Sequence, residues 1–460
     1  HDAIRDAQES RGLGDVYKRQ LMTLAEQLVS SLNRAVPEAT FERARSHVLD
    51  WAGCVLGAAR EPLAQQISSL VSKNSGQFPS FGIGPLDAKS ARTYAVSLGN
   101  LLEMDDLVRA ALLHPGPVVV PTAIYTGLEL KLSWKETLLG IIKGYEAAAR
   151  LGVLLDQFHY SRWHPTTTVG VAAAAITASS LRNLNASQTV SALSNALSVS
   201  GGLWHMRHHD VSTKQWNLLH AVNTGRHAAE MAEMGFTGSS EIIEGPQGWL
   251  EVLSENLLPK EMIQDEEWLI HQVSFKPWPA CRHCHAAIDA AIALHKDFDH
   301  DEACQVVVQT YSDAIDFCDR PIPVTPAQGR FSLQHCVSLG LLKGDVSSSD
   351  FTENRLHDSQ IEALRKNVRI CEDPSFTQAY PNHFGSAIKV MNSNGKKKTV
   401  KIANAKGDPE WPLKDEDLLK KFYDLADSGG ADSSRVQELA KTLLKSPLST
   451  PLPKILLSAP

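Results

Sequence analysis

Residues 165–180 read PTTTVGVAAAAITASS. Nearly every side chain in this run is small or apolar. A helix built from it has no polar face to offer water, so other helices must surround it. Its Gly, Ala and Ser let neighbouring backbones come close. The run predicts a central helix, with His164 at its entrance. On both sides the apolar residues recur at helical spacing. Met22–Leu32, Thr40–Leu56, Glu61–Val71 and Leu86–Leu102 read as helices before it, with Thr40 as a cap. Pro121–Leu130 starts another, and Ser133 with Glu136 forms a capping box ahead of an apolar run to Gly152. Ser187–Ser200 and Ala221–Gly235 follow. Gly76–Pro85 reads as a Gly/Pro loop.

The texture changes near residue 265. Trp268–Phe275, Cys304–Tyr311, Val368–Cys371, Ala387–Met391 and Thr399–Ala403 read as strands, with Asn394-Gly395 as a hairpin turn. Cys284–His295, Phe331–Leu342 and Ser359–Lys366 read as helices among them. After Pro412 helices return, at Asp417–Leu425 and Ser434–Leu443, before an irregular tail. The expected chain is mostly α. An all-helical domain spans 21–265, a smaller α/β (α+β) domain spans 266–408, and helices over 409–460 pack back on the first domain. Arg11–Gln20 resembles translated adapter sequence, so residues 1–20 are expected to be a non-native artefact outside the fold.

Net charge is −7, from 45 basic and 52 acidic residues. That balance argues against a polyanion surface, and no aromatic-basic interleaving supports nucleic-acid binding. No apolar run is long enough to span a membrane. Seven cysteines, an odd number, suit reduced thiols and a cytoplasmic setting rather than a disulfide framework. There is no Gly-rich dinucleotide fingerprint, Walker A loop, GxSxG elbow or HExxH pair.

What remains is a set of acid/base residues. Asn100–Thr122 reads NLLEMDDLVRAALLHPGPVVVPT and puts Glu103, Asp105 and Asp106 close together, with His114 before Pro-Gly. Buried carboxylates are costly unless paired, so this is poor material for a plain core helix. A surface acidic pair is the competing reading. His164 stands before the Ala-rich helix, where helix N–H groups can hold a carboxylate. GGLWHMRHHDVSTK (201–214) brings Arg207, His208, His209 and Lys214 into one short span. Such donors suit an acidic small molecule. FKPWPACRHCHAAID (275–289) adds Lys276, His283 and His285. Its single CxxC, Cys281 and Cys284, is weak support for zinc or redox use. PVTPAQGRFSLQHC (323–336) adds Arg330 and His335, the latter equally readable as a core histidine. No histidine set has convincing metal spacing. Neither metal nor organic cofactor is expected. Carboxylates, histidines and isolated lysines without a cofactor motif fit proton chemistry on a carboxylic acid.

Seven motifs in order resemble the MmgE/PrpD family: EMDDLVRAALLHPG (103–116), KGYEAAARLG (143–152), RWHPTTTVG (162–170), STK (212–214), GFTGSSEIIEGPQGW (235–249), SFKPWPACRHCHAAIDAA (274–291) and GRFSLQHCV (329–337). The resemblance covers nearly everything from Met22 onward. It implies a helical domain with a smaller α/β lid, a site between the two, a homodimer, and no organic cofactor. The family holds 2-methylcitrate dehydratase, cis-aconitate decarboxylase and iminodisuccinate epimerase. By position its site aspartate falls on Glu103, its threonine on Leu107, its histidines on His114, His164 and His285, its lysines on Lys214 and Lys276, and a tyrosine on His335. Three positions depart from the pattern. Glu103 reaches further than Asp, Leu107 lacks a hydroxyl, and His335 replaces a phenol by an imidazole.

The expected function is a cofactor-independent hydro-lyase resembling 2-methylcitrate dehydratase, acting on a small di- or tricarboxylate. An epimerase or decarboxylase, or a non-catalytic binding protein descended from the family, are the alternatives. In the expected roles, His164 and the Glu103/Asp105/Asp106 cluster with His114 move protons. Lys214 and Lys276 hold carboxylates or steady the enediolate. Arg207, His208, His285, Arg330 and His335 bind the rest of the substrate.

Overall fold

In the computed structural model, which describes residues 22–71, 75–209, 211–255, 267–298, 305–391, 395 and 397–456, the small-residue run forms two helical pieces, Pro165–Thr168 and Gly170–Leu181. Every residue of the second piece except Ser180 is buried. The longer helices are α1 (Leu24–Ser31), α2 (Glu38–Gly57), α3 (Pro62–Val71), α4 (Ala88–Leu98), α5 (Gly116–Glu129), α6 (Trp134–Gly152), α7 (Gly170–Leu181), α8 (Ala186–Leu197), α9 (Thr213–Glu233), α10 (His285–Leu294), α11 (Leu333–Lys343), α12 (Asp415–Gly429) and α13 (Ser433–Lys445). Helices α5, α6, α8 and α9 pack around α7. One close approach is at Gly225 of α9, where a Cβ would lie 2.4 Å from the Val171 carbonyl oxygen, so only glycine fits.

The strands are β1 (Ser75–Ser80), β2 (Ile83–Leu86), β3 (Gln305–Thr310), β4 (Val368–Glu372), β5 (Ser386–Met391) and β6 (Lys397–Ile402). The four-stranded sheet runs β4-β3-β5-β6, with β3 and β4 parallel and the other pairs antiparallel. Its alternating inner residues, Val306 and Val308 on β3 and Ile388 on β5, meet α10 and α11 in a core of their own. The architecture is therefore mostly helical, with a smaller region carrying this sheet.

The last long helices return to the first core. Leu418, Phe422 and Leu425 of α12 and Leu439 and Leu443 of α13 pack against α2. Burying the Phe422 ring contributes about 1.5–3 kcal/mol, and truncating it to Ala would cost about 3–5 kcal/mol.

Several local expectations change. Gly76–Pro85 is not a loop, so the first region is not wholly helical. β1 and β2 form an antiparallel hairpin whose turn, Phe81-Gly82, takes positive φ at both residues. Buried Phe81 anchors that turn, a role composition alone does not reveal. Trp268–Phe275 is not a strand. The Leu269 N–H goes to Glu146 of α6 and the Trp268 indole to the Ala35 carbonyl, leaving a 3-10 turn over Leu269–Gln272. Thr40 lies inside α2, whose N-cap is Pro37, and its hydroxyl meets His271 instead. α5 begins at Gly116 rather than Pro121, which is carried within the helix. α9 begins at Thr213, so Lys214 lies in its first turn. The first twenty residues, the expected boundary near 265, Cys304 and Asn394 lie outside the described residues. No helix among the described residues is long and apolar enough to cross a membrane.

One seam joins the acidic loop to the lysine at 276. Leu107 and Ser274 exchange both backbone hydrogen bonds, at 2.9 and 2.8 Å. The Phe275 N–H then donates to the Gly407 carbonyl at 3.0 Å. Gly407 has φ +94°, and a Cβ there would lie 1.9 Å from the Phe275 oxygen. Asp408 next to it accepts from Ser274 Oγ at 2.7 Å and pairs with Arg109 and Arg282.

Candidate active site

α4 ends at Leu98, and the chain turns through Asn100–Asp106 before α5. Glu103 takes φ +57°, uncommon for a residue with a side chain. This turn aims the Glu103 carboxylate at two lysines. Lys214 Nζ donates to Oε1, and Lys276 Nζ lies 3.7 Å from Oε2. Lys276 is fully buried, and its ammonium has no hydrogen-bond partner among the described residues. A buried donor in that state is costly.

Burial pushes the Glu103 carboxyl up, but Lys214 and Lys276 outweigh it and hold the group below its ordinary range. For Lys214, burial works against the charge, while Glu103 and Asp105 outweigh it and keep the ammonium above its ordinary value. The pair is ionised at neutral pH. Asp105 accepts from Asn100 Nδ2 at 2.6 Å and lies 3.1 Å from His114 Nδ1. Burial again raises this carboxyl, and His114 with both lysines draws it well below the usual range. His114 Nδ1 also meets the Asp106 carbonyl at 2.7 Å. Both neighbours of Nδ1 are acceptors, so Nδ1 carries the hydrogen and the neutral ring has its lone pair on Nε2.

His164 caps Pro165–Thr168 and is fixed from two sides. Its N–H donates to the Gly202 carbonyl at 2.8 Å, and its Nδ1 meets Thr167 Oγ1 at 2.8 Å. The ring lies 4.8 Å from that of Trp204. Burial, then the charges of Lys214 and His114, push its pKa well below 6.5, so the imidazole is neutral at neutral pH. With Nδ1 on the Thr167 hydroxyl, Nε2 is the other nitrogen through which the ring can exchange a proton.

Asp106 occupies a different setting. His47 Nδ1 and Tyr145 Oη each contact Oδ2 at 2.6 Å, and the Gly116 N–H donates to Oδ1 at 2.8 Å. These donors occupy both oxygens. Lys421 of α12 lies beside this network, with Nζ 2.5 Å from Asp50 Oδ1 and 2.6 Å from the Met104 carbonyl. Burial, against the pull of Lys421, pushes the Asp50 carboxyl up to about 6.

Glu103, Asp105, His114, His164, Lys214 and Lys276 thus converge, with Asp106 directly behind. His285 is buried near Lys276. Its Nε2 meets the Ala280 carbonyl at 3.1 Å and its Nδ1 meets Arg282 at 3.4 Å, which occupies both nitrogens. Burial, Arg282 and Lys276 keep it neutral. The remaining residues are not drawn into this cluster. Arg207 and His208 are exposed on a 3-10 turn, with Arg207 over the Phe317 ring at 4.8 Å. Arg330 pairs with Glu61 at 3.0 Å. His335 lies in the second core, 3.5 Å from Arg365 and edge-on to Phe351, its pKa lowered to about 4 by burial and then Arg365. Cys281 and Cys284 are buried free thiols. A separate groove of about 960 Å³, lined by Leu63, Ile67, Leu70, Trp216 and Leu219, contains none of the expected site residues.

His47, Asn100, Tyr145, Asp408 and Lys421 escaped the sequence reading. Lys421 left a signal, since it falls between Leu418 and Leu425 on the apolar face of α12. His47 left one too, between Ala44 and Val48 in a helix buried almost throughout.

The MmgE/PrpD N-terminal domain matches residues 23–261, and the MmgE/PrpD C-terminal domain matches 278–446. Cis-aconitate decarboxylase of Homo sapiens is 27% identical over 409 residues, covering 84% of this chain and 83% of its own. The Mus musculus protein of that name is 26% identical over 416 residues, 84% and 82% of the two chains. 2-Methylcitrate dehydratase of Escherichia coli (strain K12) is 24% identical over 374 residues, 75% and 76%. With both matched domains in sequence order and the first alone spanning more than half of the chain, this protein belongs to the MmgE/PrpD family.

Proposed function

We propose that this chain is a cofactor-independent lyase that removes an α-proton from a small di- or tricarboxylate hydroxy acid and eliminates water. The unpartnered, fully buried Lys276 ammonium beside the Glu103–Lys214 pair carries the reading. A substrate carboxylate supplies the acceptor that Lys276 lacks, and Lys214 is within reach of the same space. As the α-proton leaves, charge moves into that carboxylate, and the two ammonium groups stabilise the enediolate. Neutral His164 takes the proton. His114 enters the step as the imidazolium and gives its Nε2 proton to the departing β-hydroxyl, which leaves as water while the Cα–Cβ double bond forms. Asp105 steadies the imidazolium of that step, 3.1 Å away. Asp106 holds His114 indirectly, through the backbone it anchors.

A substrate that loses CO2 instead of hydroxide would use the same cations and return the proton to carbon. The cis-aconitate decarboxylases among the relatives favour keeping this as the second reading. The domain division expected from sequence, a lid over 266–408, a homodimer and a cytoplasmic setting belong to the same proposal. Proton NMR in deuterated buffer tests it, with citrate, 2-methylcitrate, malate and cis-aconitate as probes. A new alkene signal with loss of the α-proton is the expected result. Deuterium uptake without a change of skeleton would replace the reading by an epimerase, and CO2 release by a decarboxylase. No change with any acid would overturn it.

A further inference from the structure

We propose that Lys421, on the C-terminal helix α12, is a positioning residue that fixes the Glu103–Asp106 turn of the active site. This rests on the functional reading above.

Lys421 is nearly buried, yet its position on the apolar face of α12 would suit Leu or Met. Its ammonium bridges two elements far apart in the chain. One bond goes to Asp50 Oδ1 on α2 at 2.5 Å, and the other to the Met104 carbonyl at 2.6 Å. Met104 stands between Glu103 and Asp105, the two carboxylates that face the lysines and His114. No backbone N–H among the described residues reaches that carbonyl. The turn needs outside support because Glu103 is held at φ +57°. A non-glycine residue stays in that region only where its surroundings over-determine it. Leu107 N–H to the Ser274 carbonyl fixes one end of the turn, and Glu103 N–H to the Asn100 carbonyl, 3.2 Å, fixes the other. Lys421 holds the middle. Without it the Met104 peptide is free to rotate, and rotation swings the Glu103 carboxylate away from Lys276.

The alternative is that Lys421 only neutralises Asp50. The double variant Asp50→Asn/Lys421→Met separates the two, because it removes both charges and leaves the Met104 carbonyl without its donor. It also avoids the stranded Asp50 charge that could keep Lys421→Met from folding. Folded at the assay temperature, the double variant should lose about 100-fold in kcat for α-proton loss, with KM altered only a few-fold, as expected for an ångström-scale misplacement. Hydrogen–deuterium exchange at the amides of 103–107 should quicken, while α2 stays protected. Wild-type kcat together with unchanged exchange at 103–107 would overturn the proposal. If the wild-type protein acts on no acid tested, the reaction assignment fails. The exchange measurement then decides alone: faster exchange at 103–107 supports the positioning role, and unchanged exchange overturns it.

Discussion

Glu103-Met104-Asp105-Asp106 and Trp204–His209 are two dense runs of chemistry-bearing side chains in the helical region, and the molecule treats them oppositely. The three carboxylates of the first are at most 8% exposed, and each is paired: Glu103 with Lys214 and Lys276, Asp105 with Asn100 and His114, Asp106 with His47 and Tyr145. In the second, His205, Arg207, His208 and His209 are exposed, and their main contacts are with one another or with the Phe317 ring. Local density of ionisable groups is therefore a poor guide to chemistry. The useful mark is charge brought out of water against specific opposite charges, where each interaction is stronger than at the surface.

Substitutions can test that contrast. His164→Gln should leave the fold intact and lower α-proton loss by about 10²–10⁴-fold, the usual share of a general base. Retained turnover would break the contrast at its strongest point. Lys276→Met should lower turnover by about 10²–10³-fold, in the range for one electrostatic stabiliser. Its ammonium makes no hydrogen bond among the described residues, and its ion-pair partner Glu103 keeps Lys214, so the melting temperature should change little. Asp106→Asn should act on stability, costing about 1–3 kcal/mol for a disturbed buried hydrogen-bond set, read by chemical denaturation. Arg207→Ala and His208→Ala should change kcat less than twofold. A larger loss would show that the exposed run shares in the chemistry after all.

Acid should unfold the protein by way of its buried histidines. Burial holds His47, His159 and His335 at about 4 and His283 at about 3. The unfolded chain protonates these rings near 6.5, so it binds more protons than the native state below that point. Stability should therefore fall as pH drops from about 6.5 toward 4, by up to about 1.4 kcal/mol per pH unit for each ring. Asp50, raised to about 6, and Asp289 and Asp313, also raised by burial, work in the opposite sense over part of this range. Denaturation midpoints at pH 7 and pH 5 check the sign.

The helices were legible because period and caps are local. The Ser133–Glu136 box forms as expected, and the central position of α7 follows from side-chain size alone. The sheet order β4-β3-β5-β6 was not legible, since pairing is a long-range choice among similar strands. In the site, Asp105 and Asp106 are neighbours of identical chemistry. What separates them is Asn100 and His114 on one side and His47 and Tyr145 on the other, and those partners are set by tertiary packing. His335 was misleading for the same reason. Its helix start resembles a site, but its ring turns into the second core.

The reach of Lys421 back to Met104 also bears on the order in which the protein is made. Synthesis runs from the N-terminus, and all six converging side chains have left the ribosome once residue 276 is out. The clamp on their turn arrives 145 residues later, the gap between Lys276 and Lys421. A nascent or prematurely terminated chain would then carry every reactive group while lacking the piece that orients two of them. Competence would come at the end of translation, when α12 docks on α2.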